Sequence, residues 1–171
     1  ITMKFSLAIL SLFLSTLVAS VDLSFLPGGQ KVLDDKGEAV PGENPLTFCQ
    51  ADHGDDILEL EHVNLTPNPP LKGNTLTIEA VGTVKEKIEA GAYVLLQVKY
   101  GLIRLVSTKA DLCEQVSNVD MECPIEKGKA VITKDVELPN EIPPGTYTVF
   151  ADAYTADDKK IVCLEATVRF D

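Results

Sequence analysis

Tyr93-Val94-Leu95-Leu96-Gln97-Val98-Lys99-Tyr100, running on into Gly101-Leu102-Ile103-Arg104-Leu105-Val106, is the stretch that decides the fold. Successive side chains of a strand point to opposite faces, so Val94, Leu96, Val98 and Tyr100 share one face, with Tyr93, Gln97 and Lys99 on the other. Leu95 breaks the alternation, which predicts partial cover on the second face. Beyond Gly101 the chain stays apolar through residues 102–106, although connections usually lie on the surface and are polar. This pattern predicts an apolar loop beside a core strand, pinned by a small ring between Cys113 and Cys123 and followed directly by Pro124. Such an arrangement suggests a mouth.

Working outward, period-two alternation recurs along the chain. Residues 46–50 form a short strand carrying Cys49. Residues 57–66 form a second, with Leu58 and Leu60 alternating against Glu59 and Glu61, stopped by Pro67-Asn68-Pro69-Pro70 because proline cannot donate to a ladder. Residues 74–88 are the cleanest: Leu76, Ile78, Ala80, Gly82 and Val84 share a face. Residues 130–138, 146–155 and 161–170 complete the set. Tyr147, Val149, Ala151 and Ala153 lie on one side of the sixth strand, and Val162, Leu164, Ala166, Val168 and Phe170 on one side of the last. A helical turn is expected within residues 109–116. Seven strands, almost no helix and closely spaced turns predict an all-β, seven-stranded, immunoglobulin-like β-sandwich. A true immunoglobulin domain packs a tryptophan on its disulfide, and this chain has no tryptophan.

The 171 residues allow one domain plus processed segments. Lys4, the apolar run over residues 5–18 and the small residues Val18-Ala19-Ser20 read as a cleaved signal peptide over residues 1–20, too short to span a bilayer. Residues 21–44, with Pro27-Gly28-Gly29 and Pro41-Gly42, read as a pro-segment or flexible leader, although Val32, Leu33 and Val40 can lie against the body. The folded domain is then 45–171. Four cysteines after a secretory signal predict two disulfides. Of the three possible connectivities, close spacing makes Cys113–Cys123 the natural local ring and leaves Cys49–Cys163 to tie the first strand to the last. That long bridge is worth roughly 4–5 kcal/mol on the chain-entropy account. A net charge of −11 argues against nucleic acid, whose phosphates recruit Lys and Arg.

The run Val63-Asn64-Leu65-Thr66-Pro67, then Leu71-Lys72-Gly73-Asn74, Cys123-Pro124-Ile125-Glu126-Lys127-Gly128-Lys129 and Val162-Cys163-Leu164-Glu165 resembles the ML lipid-recognition family, which includes the lumenal sterol carrier of Niemann–Pick type C disease. Tyr100-Gly101-Leu102-Ile103 and the spacing of Cys113 and Cys123 are most similar to fungal phosphatidylglycerol/phosphatidylinositol transfer proteins. The resemblance covers residues 46–170. It implies a sandwich whose sheets splay to hold one sterol or phospholipid, and it implies the same two disulfides. Where the sterol carrier has mouth aromatics this chain has aliphatics, around Leu105 or Val106 and at Ile142.

A lipid site needs apolar walls and no reactive group. The expected walls are Leu76, Ile78, Val94, Leu96, Val98, Tyr100, Leu105, Ile142, Tyr147, Val149 and Val168; on pattern alone each also reads as sandwich core. Catalysis finds little support. His53 and His62 are the only histidines, no Gly-x-Ser-x-Gly occurs, and Asp55, Asp56, Glu59 and Glu61 read as a solvated edge rather than paired acids. No metal cluster and no cofactor beyond the bound lipid is expected. Asn64-Leu65-Thr66 is a formal glycosylation acceptor. Lys127, Lys129 and Lys134 can approach anionic headgroups. The expected function is transfer of one lipid between membranes by a monomer in the secretory pathway, secreted or in a vacuole or lysosome lumen. It implies transient contact with membrane surfaces and a membrane-protein acceptor as a possible partner. The alternative from another class is a secreted adhesion or recognition module with a filled core.

Overall fold

The computed structural model of the chain describes residues 37–171; the expected signal peptide and residues 21–36 of the leader lie outside the described residues. Among the described residues there are eight strands and one short helix: β1 (Leu46–Phe48), β2 (Leu58–Thr66), β3 (Thr75–Val84), β4 (Tyr93–Tyr100), β5 (Ile103–Asp111), α1 (Leu112–Ser117), β6 (Gly128–Glu137), β7 (Gly145–Tyr154) and β8 (Lys160–Phe170). They make two antiparallel sheets, a five-stranded β1-β8-β7-β4-β5 and a three-stranded β2-β3-β6. The β-sandwich expected from alternation is the fold, with one strand more than the pattern suggests.

The extra strand is β5, and it corrects the expected mouth loop. Residues 102–106 supply a hairpin tip and the start of a strand. Gly101, at φ +54, takes the first central place of a two-residue turn between the paired residues Tyr100 and Ile103, a backbone conformation glycine adopts without steric cost. Val98 pairs with Val106 and Lys99 with Arg104, so Leu105 is the additional residue of a β-bulge. A bulge shifts the inside-outside alternation by one residue, which is why β5 does not read as a strand.

Both expected disulfides form, Cys49–Cys163 and Cys113–Cys123, which places folding in an oxidising compartment. Neither lies beside the apolar tip at residues 102–106 that the small ring is expected to pin. β1 and β8 are neighbours in one sheet, and the Cys49 N–H donates to the Cys163 carbonyl. The long bridge therefore fastens a three-residue edge strand to its own sheet and does not hold two sheets apart. The small ring follows the far end of β5, where the Leu112 N–H donates to the Ala92 carbonyl. The whole length of β5 separates it from the apolar tip.

The described end of the leader is part of the fold, so the domain begins before Pro45. The Phe48 N–H donates to the Glu38 carbonyl and the Val40 N–H to the Leu46 carbonyl; farther on, the Val63 N–H donates to the Pro41 carbonyl and the Leu65 N–H to the Glu43 carbonyl. One extended segment thus bonds to β1 of the large sheet and to β2 of the small one. Asn44 reinforces it, donating to the Val63 carbonyl at 2.7 Å, and Val40 is 3% exposed. A chain begun at Pro45 should lose this strap. Burial of Val40 alone is worth about 1.5–3 kcal/mol, so its urea midpoint should fall well below that of a chain begun at Gly37. Equal midpoints would show that the strap contributes nothing.

Candidate functional site

Strand registers assign the inward faces. On the small sheet these carry Leu58, Leu60, Val63 and Leu65 of β2, the even positions of β3, and Ala130, Ile132, Lys134 and Val136 of β6. On the large sheet they carry Val94, Leu96, Val98 and Tyr100, with Tyr147 to Ala153 at odd positions of β7 and Val162 to Phe170 at even positions of β8. One half of this interior is packed. Val84, Val94, Ala153 and Val162 join Ile57, Val63, Ile88, Ala92 and Ile125 in a continuous buried core, with Leu96, Ala151 and Leu164 against it.

The other half is not. Ile78, Val98, Ile132 and Val168 lie beyond that core and are half-buried. Val149 is 39% exposed and Val106 42%, although both belong to inward faces. An inward apolar side chain opposite a packed sheet is covered at the usual separation of about 10 Å; at these positions the three-stranded sheet leaves the five-stranded one partly uncovered. The sandwich is packed at the Val84–Val94 end and less completely covered toward the Tyr100 end.

The open end has an ordered aromatic rim. Tyr100 and Tyr147 meet edge to face at 5.1 Å between ring centroids, and Tyr147 meets Phe170 at 5.7 Å. Their hydroxyls donate to the carbonyls of Pro144 at 2.8 Å and Pro143 at 3.0 Å, so each ring is held by its polar end and offers its apolar body to the interior. Gly145, at φ +147, lets the chain pass Tyr100; a Cβ there would stand 2.4 Å from the ring.

Of the expected walls, Leu76 and Val94 are buried, Ile78, Leu96, Val98, Tyr100, Tyr147 and Val168 are half-buried, and Val149 is exposed. Val94 and Leu96 fall in the packed half, and the other inward residues in the open half or at its rim. Leu105 is exposed at the bulge, and Ile142 is half-buried in the turn that receives the tyrosine hydroxyls. Sequence reasoning missed Ile132 and Val136 of β6, and it named Lys134 as a headgroup contact without placing it on an inward face.

Ionisable groups with perturbed titration lie elsewhere. On the outer face of the large sheet Tyr154 donates to Asp152 at 2.8 Å, and this bond, with burial, pushes its phenol up to about 12. Asp152 also faces Lys160 at 3.7 Å. Asp56 departs from the solvated edge expected of it: at 7% exposed, its carboxyl is raised by desolvation, against the pull of Lys160, His53 and Lys85. Asp55, Glu59 and Glu61 are exposed. His53 stacks on Phe48 at 3.7 Å, and half-buried His62 is paired with Val81 at the end of the β2 bulge. Among the described residues no group of three or more His, Cys, Asp or Glu is placed to hold a metal, and no helix is long and apolar enough to cross a membrane. Asn64 accepts the Glu43 N–H at 2.9 Å.

Comparison with known proteins identifies the family of this fold. The family profile of the ML domain matches residues 43–170. The chain belongs to the ML domain family. A phosphatidylglycerol/phosphatidylinositol transfer protein of Pyricularia oryzae is 58% identical over 99% of this chain and 94% of its own length. Proteins of the same name from Neurospora crassa and Aspergillus fumigatus are 65% and 52% identical, over 77% and 93% of this chain and 75% and 91% of their own lengths.

Two outcomes follow for this ML domain. Gly145→Ala should displace Tyr100 and weaken its bond to Pro144, seen as a changed near-ultraviolet tyrosine signal with the fold kept; an unaltered signal contradicts the close approach. The raised Tyr154 pKa contributes stability that is complete below the ordinary phenol value near 10 and is lost as pH rises toward 12. Tyr154→Phe should therefore remove the last phenolate step from an absorbance titration of the four tyrosines.

Proposed function

We propose that this ML domain is a lipid transfer protein that shelters the acyl chains of one phospholipid in the open half of its sandwich and carries it between membranes as a monomer. The observation that carries this reading is the exposure of inward apolar residues, Val149 and Val106 above all. A folded monomer gains by covering such a face, at about 25 cal/mol per Å² of apolar area removed from water. A guest of a few hundred Å² supplies that cover. The shared name of relatives that are 50–65% identical supports phospholipid over sterol. It also supports transfer over adhesion and over catalysis, since moving a lipid makes and breaks no bond.

Loading requires contact with a bilayer, and the β4–β5 hairpin suits that task. Leu102 at its tip is fully exposed and Ile103 largely so. Lys99 and Arg104 pair just behind them. Apolar residues at a tip with cations behind them can enter the headgroup layer of an anionic membrane, each cation contributing about 1 kcal/mol near the surface. The tip lies at the open end of the sandwich, beside Tyr100. A compartment of the secretory route, a vacuolar lumen or the exterior, fits the two disulfides.

Mass spectrometry of the purified protein should recover phospholipid at about one molecule per chain. Val98→Glu and Val149→Glu should fold yet purify with little lipid, because each puts a charge on a wall; full occupancy in both would refute the cleft. Leu102→Asp should keep its lipid but slow transfer between vesicles several-fold. Transfer at the wild-type rate would move docking away from the hairpin.

A further inference from the structure

The inward face of β6 reads Ala130, Ile132, Lys134, Val136, and Lys134 pairs directly with Ile78 of β3. Among the described residues it is the one charged side chain that the strand registers place on an inward face. Placing an ammonium among apolar neighbours costs free energy unless it is well paired. Its partner is a weak one: the Asp120 carboxylate stands 3.4 Å away with its side chain 79% exposed, against 32% for the lysine. An exposed pair of this kind is worth at most about 1 kcal/mol, so the ammonium at this edge strand stays open to a stronger anionic partner. Lys129, by contrast, pairs outward with Glu61.

Asp120 is held in place by the loop that carries it. Its φ is +61, and its N–H donates to the Ser117 carbonyl just beyond α1. The loop is closed by Cys113–Cys123. The Asp120 carboxylate oxygen thus stands beside the ammonium on a constrained stretch of backbone, at the flank where β5 and β6 are the outermost strands of their sheets.

We propose that Lys134 is the headgroup anchor of the cleft: its ammonium receives the phosphodiester of an anionic glycerophospholipid whose acyl chains lie along the inward faces, and Asp120 holds that place until the lipid arrives. This rests on the carrier reading above. A phosphodiester brings a full negative charge and two unesterified oxygens, and charge-assisted hydrogen bonds to it are about twice as strong as neutral ones. Phosphatidylglycerol leaves that charge uncompensated. Phosphatidylcholine carries its own cation, and so gains less from Lys134.

The test uses the purified chain with vesicles containing pyrene-labelled phosphatidylglycerol or pyrene-labelled phosphatidylcholine. Lys134→Gln should lower phosphatidylglycerol uptake about ten-fold, the equivalent of one charge-assisted hydrogen bond, while phosphatidylcholine uptake stays near wild type. Lys134→Arg should restore it, Asp120→Asn should raise it, and Lys129→Gln should leave it unchanged. Undiminished phosphatidylglycerol uptake by a folded Lys134→Gln variant overturns the anchor alone, with wild-type uptake still supporting a carrier. Equal loss of both lipids makes Lys134 a structural residue and also overturns it. Loss of the Lys134-dependent uptake in millimolar inorganic phosphate assigns the site to soluble anions instead. Failure of the wild type to take up either lipid removes the carrier reading and the anchor with it.

Discussion

Unequal closure of the two long sides of the sandwich governs the rest of the structure. On one side the segment from Glu38 to Glu43 hydrogen-bonds to β1 and then to β2, so each sheet is held to the same strip of backbone. On the other side, ladder bonding joins β5 only to β4 and β6 only to β3 among the described residues. Layers joined along one margin and at one end leave the rest of their inward faces less covered. The buried core follows the joined region, and the accessible apolar faces follow the free one.

That asymmetry relates the cleft to its surroundings. Charge is kept on the outer faces: Glu59 with Lys85 and Glu61 with Lys129 over the small sheet, Asp152 with Lys160 and Tyr154 over the large one. The interior keeps tyrosines whose hydroxyls are satisfied by proline carbonyls, and a single lysine at its flank. An interior so depleted of polar groups favours hydrocarbon over water and gives catalysis nothing to work with.

Much of this was legible in the sequence, where one rule held without interruption. β7 and β8 alternate, and β4 does so except at Leu95, which is exposed on the outer face rather than covered as expected. The inward residues of all three are those the pattern names. The reading failed where local pattern and tertiary position part. The bulge at Leu105 hid β5, and another between Leu60 and His62 moves the inward set of β2 from Leu58 and Leu60 to Val63 and Leu65. In β6 an outward Val131 and an inward Lys134 blur the two faces, so hydrophobicity alone could not orient the strand. Val40 stands alone among polar and turn-forming neighbours, and its burial depends on β1 and β2, which no local pattern reports. Asp56 looked like part of an acidic turn, and only the fold places Lys160, His53 and Lys85 around it.

The pairing of β1 with β8 has a further consequence, for biosynthesis. Cys49 and Cys163 are separated by 114 residues and Cys113 and Cys123 by 10. As the chain emerges amino end first, the small ring can oxidise while synthesis continues, whereas Cys49 must wait for almost the last strand to appear. Closing so long a loop is what slows folding in proteins dominated by non-local pairing. Until then the nascent chain carries a free thiol at Cys49 and an edge that β1 has not yet covered.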